Sequence, residues 1–219
     1  MRKAIALFLL LPFMLQTAIA QRSFEILPAF GYVLTPTINY QQCTGHIDPA
    51  LSFSSSFIYH PNPAWGCEII YSRSTPTSYL YDPDDDRVAV YTRFPIHIQR
   101  LLAGLNYSFS FNGIHPHIGV LFGFTYTETT SEPALTSSYT SFSLAPQAGV
   151  DYYFSSFIGI RLNAAMIFTP NVPNNSAYFN VDKEGNGFPS FAVGNPSNAS
   201  ITQWNFSLGI IIRFMKRKK

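Results

Sequence analysis

Charge is scarce in this 219-residue chain: 12% of residues are Asp, Glu, Lys or Arg, roughly half the usual share of about 25%. A disordered segment or a long coiled coil cannot be built with so few charges alongside 20 Phe and 13 Tyr. A strong basic excess is also missing, with 14 Lys and Arg against 12 Asp and Glu, which argues against a nucleic-acid partner. Long apolar runs are absent beyond the N-terminus, so helical membrane spans are excluded. Cysteine is limited to Cys43 and Cys67. What is present is a 47% hydrophobic, 16% aromatic chain. So much apolar surface with so little charge suggests a membrane, and the apolar residues must then be distributed in some way other than a run.

The first 20 residues read as a secretory signal peptide: Arg2 and Lys3, an apolar stretch Ala4–Leu15, then Ala18-Ile19-Ala20 before Gln21. Gln21 stands where a lipoprotein would have cysteine. Cleavage after Ala20 removes Arg2 and Lys3 from the 14 basic residues, leaving 12 against 12 acidic ones, a formally neutral mature chain. The expected organisation is signal peptide 1–20, one domain 21–214, and a basic tail 215–219.

In the mature chain the apolar residues recur with period two. Trp204, Phe206, Leu208, Ile210, Ile212 and Phe214 alternate with Asn205, Ser207, Gly209, Ile211 and Arg213. The same alternation runs through Ile158–Phe168, Phe142–Phe154, Pro116–Tyr126, Phe24–Tyr32, Leu51–Tyr59 and Trp65–Tyr71. Such alternation marks strands with one apolar face and one polar or small face. An eighth strand, about Ile96–Phe109, is ambiguous at Ile96 and Ile98, where a bulge would shift the phase. Short turns at His60–Ala64, Ser110–Gly113 and Ser155–Ser156 alternate with long loops at Thr35–Asp48, Thr75–Thr92, Glu128–Ser138 and Thr169–Ile201. Eight strands with short turns at one end and long loops at the other predict an all-β fold. The form expected is an antiparallel up-and-down transmembrane β-barrel, turns periplasmic and loops extracellular. Closure leaves no unpaired edge in lipid.

A lipid-facing Arg at the bilayer midplane costs about 2–4 kcal/mol, so the face carrying Arg161 and Arg213 must be the interior. Glu25, Glu68, Arg100, Gln147, Asp151 and Arg161 then converge inside, and buried charges require partners. Asp151 and Arg161 flank one short turn at similar depth and form the first expected pair. Tyr59, Trp65, Tyr107, Tyr152, Phe154 and Phe157 are expected to form a periplasmic aromatic girdle. Cys43 and Cys67 fall at opposite ends of a barrel about 25 Å tall, too far apart for a disulfide, so two free thiols are expected.

The stretches Ile96-His97-Ile98-Gln99, Gly104-Leu105-Asn106-Tyr107, His115-Pro116-His117-Ile118-Gly119 and Gln147-Ala148-Gly149-Val150-Asp151-Tyr152-Tyr153-Phe154, with Ile158-Gly159-Ile160-Arg161-Leu162, carry a resemblance. They resemble small bacterial outer-membrane barrels of the OmpW-like and OmpA/OmpX-like groups. The resemblance implies an outer-membrane location and a barrel-assembly signal at a C-terminal aromatic, here Phe214, although Met215–Lys219 follow it. Its motifs are Gly, aromatic and turn residues, which specify a fold and leave function open.

No spacing among His46, His60, His97, His115 and His117 picks out a catalytic triad. Asp82-Pro83-Asp84-Asp85-Asp86 imitates the start of a calcium loop, but Arg87 and Arg93 stand where an EF-hand needs Gly and Glu. Catalytic, cofactor and metal residues are therefore not assigned. The leading reading is a non-enzymatic barrel with a structural or surface-interaction role. A narrow channel for small hydrophobic solutes is the alternative, and a lipid-modifying enzyme or a subunit of a secretion or assembly complex stands further off. Expected partners are outer-membrane lipids and lipopolysaccharide, the barrel-assembly machinery, and an unidentified protein or small apolar ligand. No nucleic acid is among them.

Overall fold

The computed structural model describes residues 23–35, 38–39, 44–81, 94–111, 113–131, 135–173 and 198–215. The signal segment, Cys43, the aspartate run at 82–86 and Lys216–Lys219 lie outside these residues. Among the described residues there are eleven strands and no helix. They are β1 (Ser23–Leu34), β2 (Ile38–Asn39), β3 (Thr44–Ile47), β4 (Ala50–His60), β5 (Trp65–Ser74) and β6 (Thr77–Tyr81). The rest are β7 (Phe94–Ser108), β8 (Ile114–Ser131), β9 (Leu135–Tyr153), β10 (Ile158–Pro173) and β11 (Asn198–Met215).

Eight of them close a barrel in the order β1-β4-β5-β7-β8-β9-β10-β11, with β11 returning to β1 through the rungs Ser23↔Met215 to Leu34↔Trp204. Every neighbouring pair is antiparallel, so each backbone polar group in the ring finds its partner inside the protein. The outward face is the apolar half of each alternation. Phe30, Leu51, Ile69, Leu101, Leu105, Phe122, Phe124, Leu162, Leu208 and Ile210 are all exposed. On β8 this apolar face runs from Pro116 to Tyr126, which in a tilted strand is about 25 Å of height, the depth of an outer-membrane hydrocarbon core.

The short turns have local causes. Asn62 Oδ1 accepts hydrogen bonds from the Ala64 and Trp65 amides at 3.0 and 2.8 Å, and Ser155 Oγ does the same for Phe157 and Ile158 at 3.2 and 3.1 Å. Gly113 turns the chain into β8 at φ 82°, in the left-handed region open to glycine.

Three expectations are corrected. The register of β7 against β5 and β8 is continuous, with no bulge at Ile96 or Ile98. Both isoleucines point inward, 1% and 4% exposed, because this part of the lumen is apolar. The inner face is thus not uniformly polar or small: Leu102, Leu121, Ala145 and Ile167 form one buried cluster, and Leu27, Ala29 and Ile211 another. The long connections are also partly strand. β8 and β9 stay paired up to Ser131↔Leu135, deep inside the expected loop Glu128–Ser138, and β10 and β11 reach Pro173↔Asn198. Within Thr35–Asp48 and Thr75–Thr92, β2, β3 and β6 add to the end of β7 as a small upper sheet. The β8–β9 and β10–β11 extensions continue ladders already begun, so their backbone groups pair at little further entropic cost.

Candidate functional site

The interior-facing residues meet in three tiers. At the short-turn end Glu25 of β1 is fully buried. Its Oε1 accepts hydrogen bonds from Arg213 Nε at 2.7 Å and Tyr153 Oη at 2.9 Å, and its Oε2 lies 3.2 Å from His60 Nε2. The Arg213 guanidinium rests 3.7 Å from the centre of the Tyr153 ring, whose other neighbour is His115 at 5.2 Å.

The middle tier is the densest. Asp151 and Arg161 are register partners across the β9–β10 hairpin, so their inward side chains meet at one height. Arg161 Nε and Nη2 donate to Asp151 Oδ1 and Oδ2, both at 2.6 Å, a fork-to-fork pair. Arg161 Nη1 is also 4.0 Å from Glu68 Oε2 on β5, across the lumen. Glu68 Oε2 accepts from Asn106 Nδ2 and, at 2.8 Å, from Gln147 Nε2. Gln147 also donates to Asn106 Oδ1 at 2.8 Å and accepts from Asn163 Nδ2 at 3.0 Å. His117 Nε2 bonds Asn163 Oδ1 at 3.2 Å, and its Nδ1 is 3.5 Å from Asp151 Oδ1. Side chains from β5, β7, β8, β9 and β10 thus form one buried network.

Gly104 and Gly149 leave room for this network's strands to close. A Cβ at Gly104 would stand 1.9 Å from the Val120 carbonyl oxygen, and one at Gly149 would stand 2.6 Å from the His117 ring.

Above it the Leu102, Leu121, Ala145 and Ile167 layer separates the network from Arg100. Arg100 Nη2 donates to Gln203 Oε1, and Gln203 Nε2 donates to Thr35 Oγ1 at 2.7 Å. β7 and β11 are diametrically opposite in the ring, so this bond crosses the full lumen.

Glu68, Gln147, Asp151 and Arg161 are therefore brought together, while Glu25 belongs to a separate cluster and Arg100 to neither. The aromatics expected as a periplasmic girdle sit outward near the short turns. Trp65 packs on Tyr107 at 5.0 Å, Phe24 on Tyr59 at 5.1 Å and Tyr152 on Phe154 at 5.1 Å, and Phe157 is exposed beside them. Cys67 is free and exposed on the outward face. His60, Asn106, His117, Asn163, Tyr153 and Gln203 were not singled out in the sequence as network members. Their inward phase within the alternation was the available signal. His97 stands apart on the outward face, 3.3 Å from Thr75 Oγ1. No group of three His, Cys, Asp or Glu among the described residues is placed to hold a metal.

No protein-family model matches the chain, and no curated protein does. Solved structures do. The outer membrane protein OprG from Pseudomonas aeruginosa superposes with a TM-score of 0.58 at 13% identity, covering 88% of this chain and 95% of its own. Neisserial surface protein A gives 0.56 at 11% identity, covering 87% and 97%. The attachment invasion locus protein of Yersinia pestis, solved with the heparin analogue sucrose octasulfate, gives 0.52 at 11% identity, covering 89% and 100%. The fold is that of the small bacterial outer-membrane β-barrels: eight antiparallel strands, closed, apolar outside. At these identities the likeness is one of fold alone.

Proposed function

We propose that this chain is a non-enzymatic outer-membrane barrel with a structural or surface-interaction role. The observation that carries the reading is the closure of the lumen by side chains bonded across its diameter, Arg100 to Gln203 above and Glu68 to Gln147 and Arg161 below. An eight-stranded ring has an interior just wide enough for side chains to fill. Charged and amide groups bonded to one another in that space are committed to closure. The paired β8–β9 extension and the β2-β3-β6 sheet raise a strand-built upper surface above the apolar band, a platform suited to contact with another surface. On this reading the mature chain, freed of Met1–Ala20, sits in the outer membrane of a Gram-negative bacterium among lipids and lipopolysaccharide. It arrives there through the barrel-assembly machinery acting on the strand that carries Phe214.

The test is conductance across a planar bilayer. The purified barrel is expected to give no steady current, and a clear single-channel current would refute the closed-lumen reading. A second reading, an OmpW-like narrow channel for small hydrophobic solutes, is favoured by the isoleucine-lined upper lumen at Ile47, Ile96, Ile98 and Ile201. Uptake of such solutes by vesicles containing the barrel, absent from empty vesicles, would establish it in place of the first.

A further inference from the structure

Among the described residues Arg73 of β5 is the one arginine or lysine that faces outward from the barrel wall. Arg100, Arg161 and Arg213 are all bonded inside the lumen. Ser72 and Ser74 on either side of Arg73 are buried, so the alternation turns Tyr71 and Arg73 toward lipid. The rung partners of Arg73, Phe53 on β4 and Gln99 on β7, carry no charge. No hydrogen bond or ion pair joins Arg73 to another described residue.

Its height along the wall matters. Arg73 lies eight positions along β5 from Trp65, which stands in the aromatic row at the short turns. In a strand tilted by about 40° that is about 20 Å of height, against an apolar band about 25 Å tall. Arg73 therefore stands near the upper edge of the band, and its long side chain carries the guanidinium across the remainder to headgroup level.

Arg73 lines an open cleft of about 870 Å³ on the outer wall. The lower part of the cleft is apolar, with Leu51 beside the rung partners Phe30 and Phe53, whose rings pack edge to face at 5.5 Å. The upper lip is polar: it carries Thr75 and Thr77, and the Asp48 amide pins it by donating to the Thr77 carbonyl at 2.8 Å. Asp48 is the one acid among the described lining residues. Its carboxylate lies 3.7 Å from His46 Nε2 and makes no ion pair with Arg73. One cleft thus joins a lipid-facing apolar floor to an unopposed guanidinium at headgroup height.

We propose that this cleft holds the phosphate group of a membrane lipid, with Arg73 as its charge partner and an acyl chain of the same molecule on Phe30, Leu51 and Phe53. The forked donors of a guanidinium match phosphate oxygens, and a phosphate there supplies the counter-charge that the wall does not. A lipid fits better than an acidic protein segment because the floor of the cleft is part of the lipid-facing wall. The proposal rests on the reading of that wall as embedded in a membrane, and adds one place at which a class of lipid is selected.

The experiment is native mass spectrometry of the barrel released from octyl glucoside micelles that contain phosphatidic acid and the diacylglycerol of the same chains. Wild type should retain one phosphatidic acid per barrel, about fivefold in excess of diacylglycerol. Arg73→Gln should bring that ratio to near one, whereas Lys218→Gln, an equal change of charge in the C-terminal tail, should keep it. Excess inorganic phosphate should leave the bound lipid in place, because it has no chain for the apolar floor. The absence of a wild-type preference overturns the proposal, as does an Arg73→Gln ratio equal to wild type. Loss of the preference in Lys218→Gln, or displacement by inorganic phosphate, does the same. Heat-modifiable insertion of the same protein into phosphatidylcholine vesicles tests the embedded wall separately. Insertion without a phosphate preference refutes the site and leaves the barrel reading standing, and failure to insert refutes both.

Discussion

Replacing Arg161 with Met removes the only cation among the described residues that is paired with both Asp151 and Glu68. The guanidinium is 3% exposed and holds Asp151 through two hydrogen bonds of 2.6 Å. The methionine keeps much of the side-chain volume, so the loss is electrostatic more than steric. Two carboxylates, each at most 3% exposed, then remain in a lumen without their shared partner. Breaking a buried pair by deleting one member costs about 3–5 kcal/mol. Asp151→Asn combined with Arg161→Met removes the more closely paired of the two orphaned carboxylates and leaves Glu68, which keeps its amide donors Asn106 and Gln147; replacing both members of a buried pair is close to neutral. The double variant should therefore recover at least half of the single variant's loss. Urea unfolding in detergent, followed by the fluorescence of Trp65 and Trp204, reads both values. A cost below about 1 kcal/mol for Arg161→Met, or a double variant that loses the sum of the two singles, would mean that the pair is not a coupled buried unit.

Leu208→Arg places a charge at the middle of the outward face of β11 and should cost about 2–4 kcal/mol in lipid, whereas Phe214→Arg near the short-turn rim should cost about 0–1 kcal/mol; equal costs in vesicle refolding would refute the assigned membrane depth. Gly104→Val would drive a side chain into the Val120 carbonyl, 1.9 Å from where its Cβ must stand, and should abolish the heat-modifiable folded band on a gel. Cys67, outward and free, should react with a membrane-permeant maleimide in intact vesicles and resist a charged, impermeant one. Quantitative recovery of a Cys43–Cys67 disulfide would contradict the separation expected from the sequence.

The strands and their lipid-facing side were legible because a barrel wall is a local pattern. Trp204 to Phe214 and Ile158 to Phe168 each declare by alternation which residues meet lipid, and the rungs Ile160↔Ile210 and Leu162↔Leu208 only align what both strands already show. The Asp151–Arg161 contact was readable for the same reason, since a short hairpin places both residues at one height. The phase at Ile96 and Ile98 was not readable, because an isoleucine suits a lipid face and an apolar lumen equally well. Strand ends at Ser131 and Leu135 were hidden too, since Thr- and Ser-rich segments serve loops and exposed ladders alike.

By itself, then, the sequence determined the solvent of each face: 47% hydrophobic residues without an internal run can be reconciled with a membrane only by strands that show lipid at every second position. It also determined that charges on the opposite face must be enclosed. Which charges find one another was decided only by the closed ring. Glu68 reaches Arg161, and Arg100 reaches Gln203, across strands separated by long stretches of chain. Those meetings depend on barrel diameter and on the height of each residue around the ring, which no local spacing encodes. The same closure left Arg100 buried with no acid paired to it among the described residues, a consequence of depth that composition could not show.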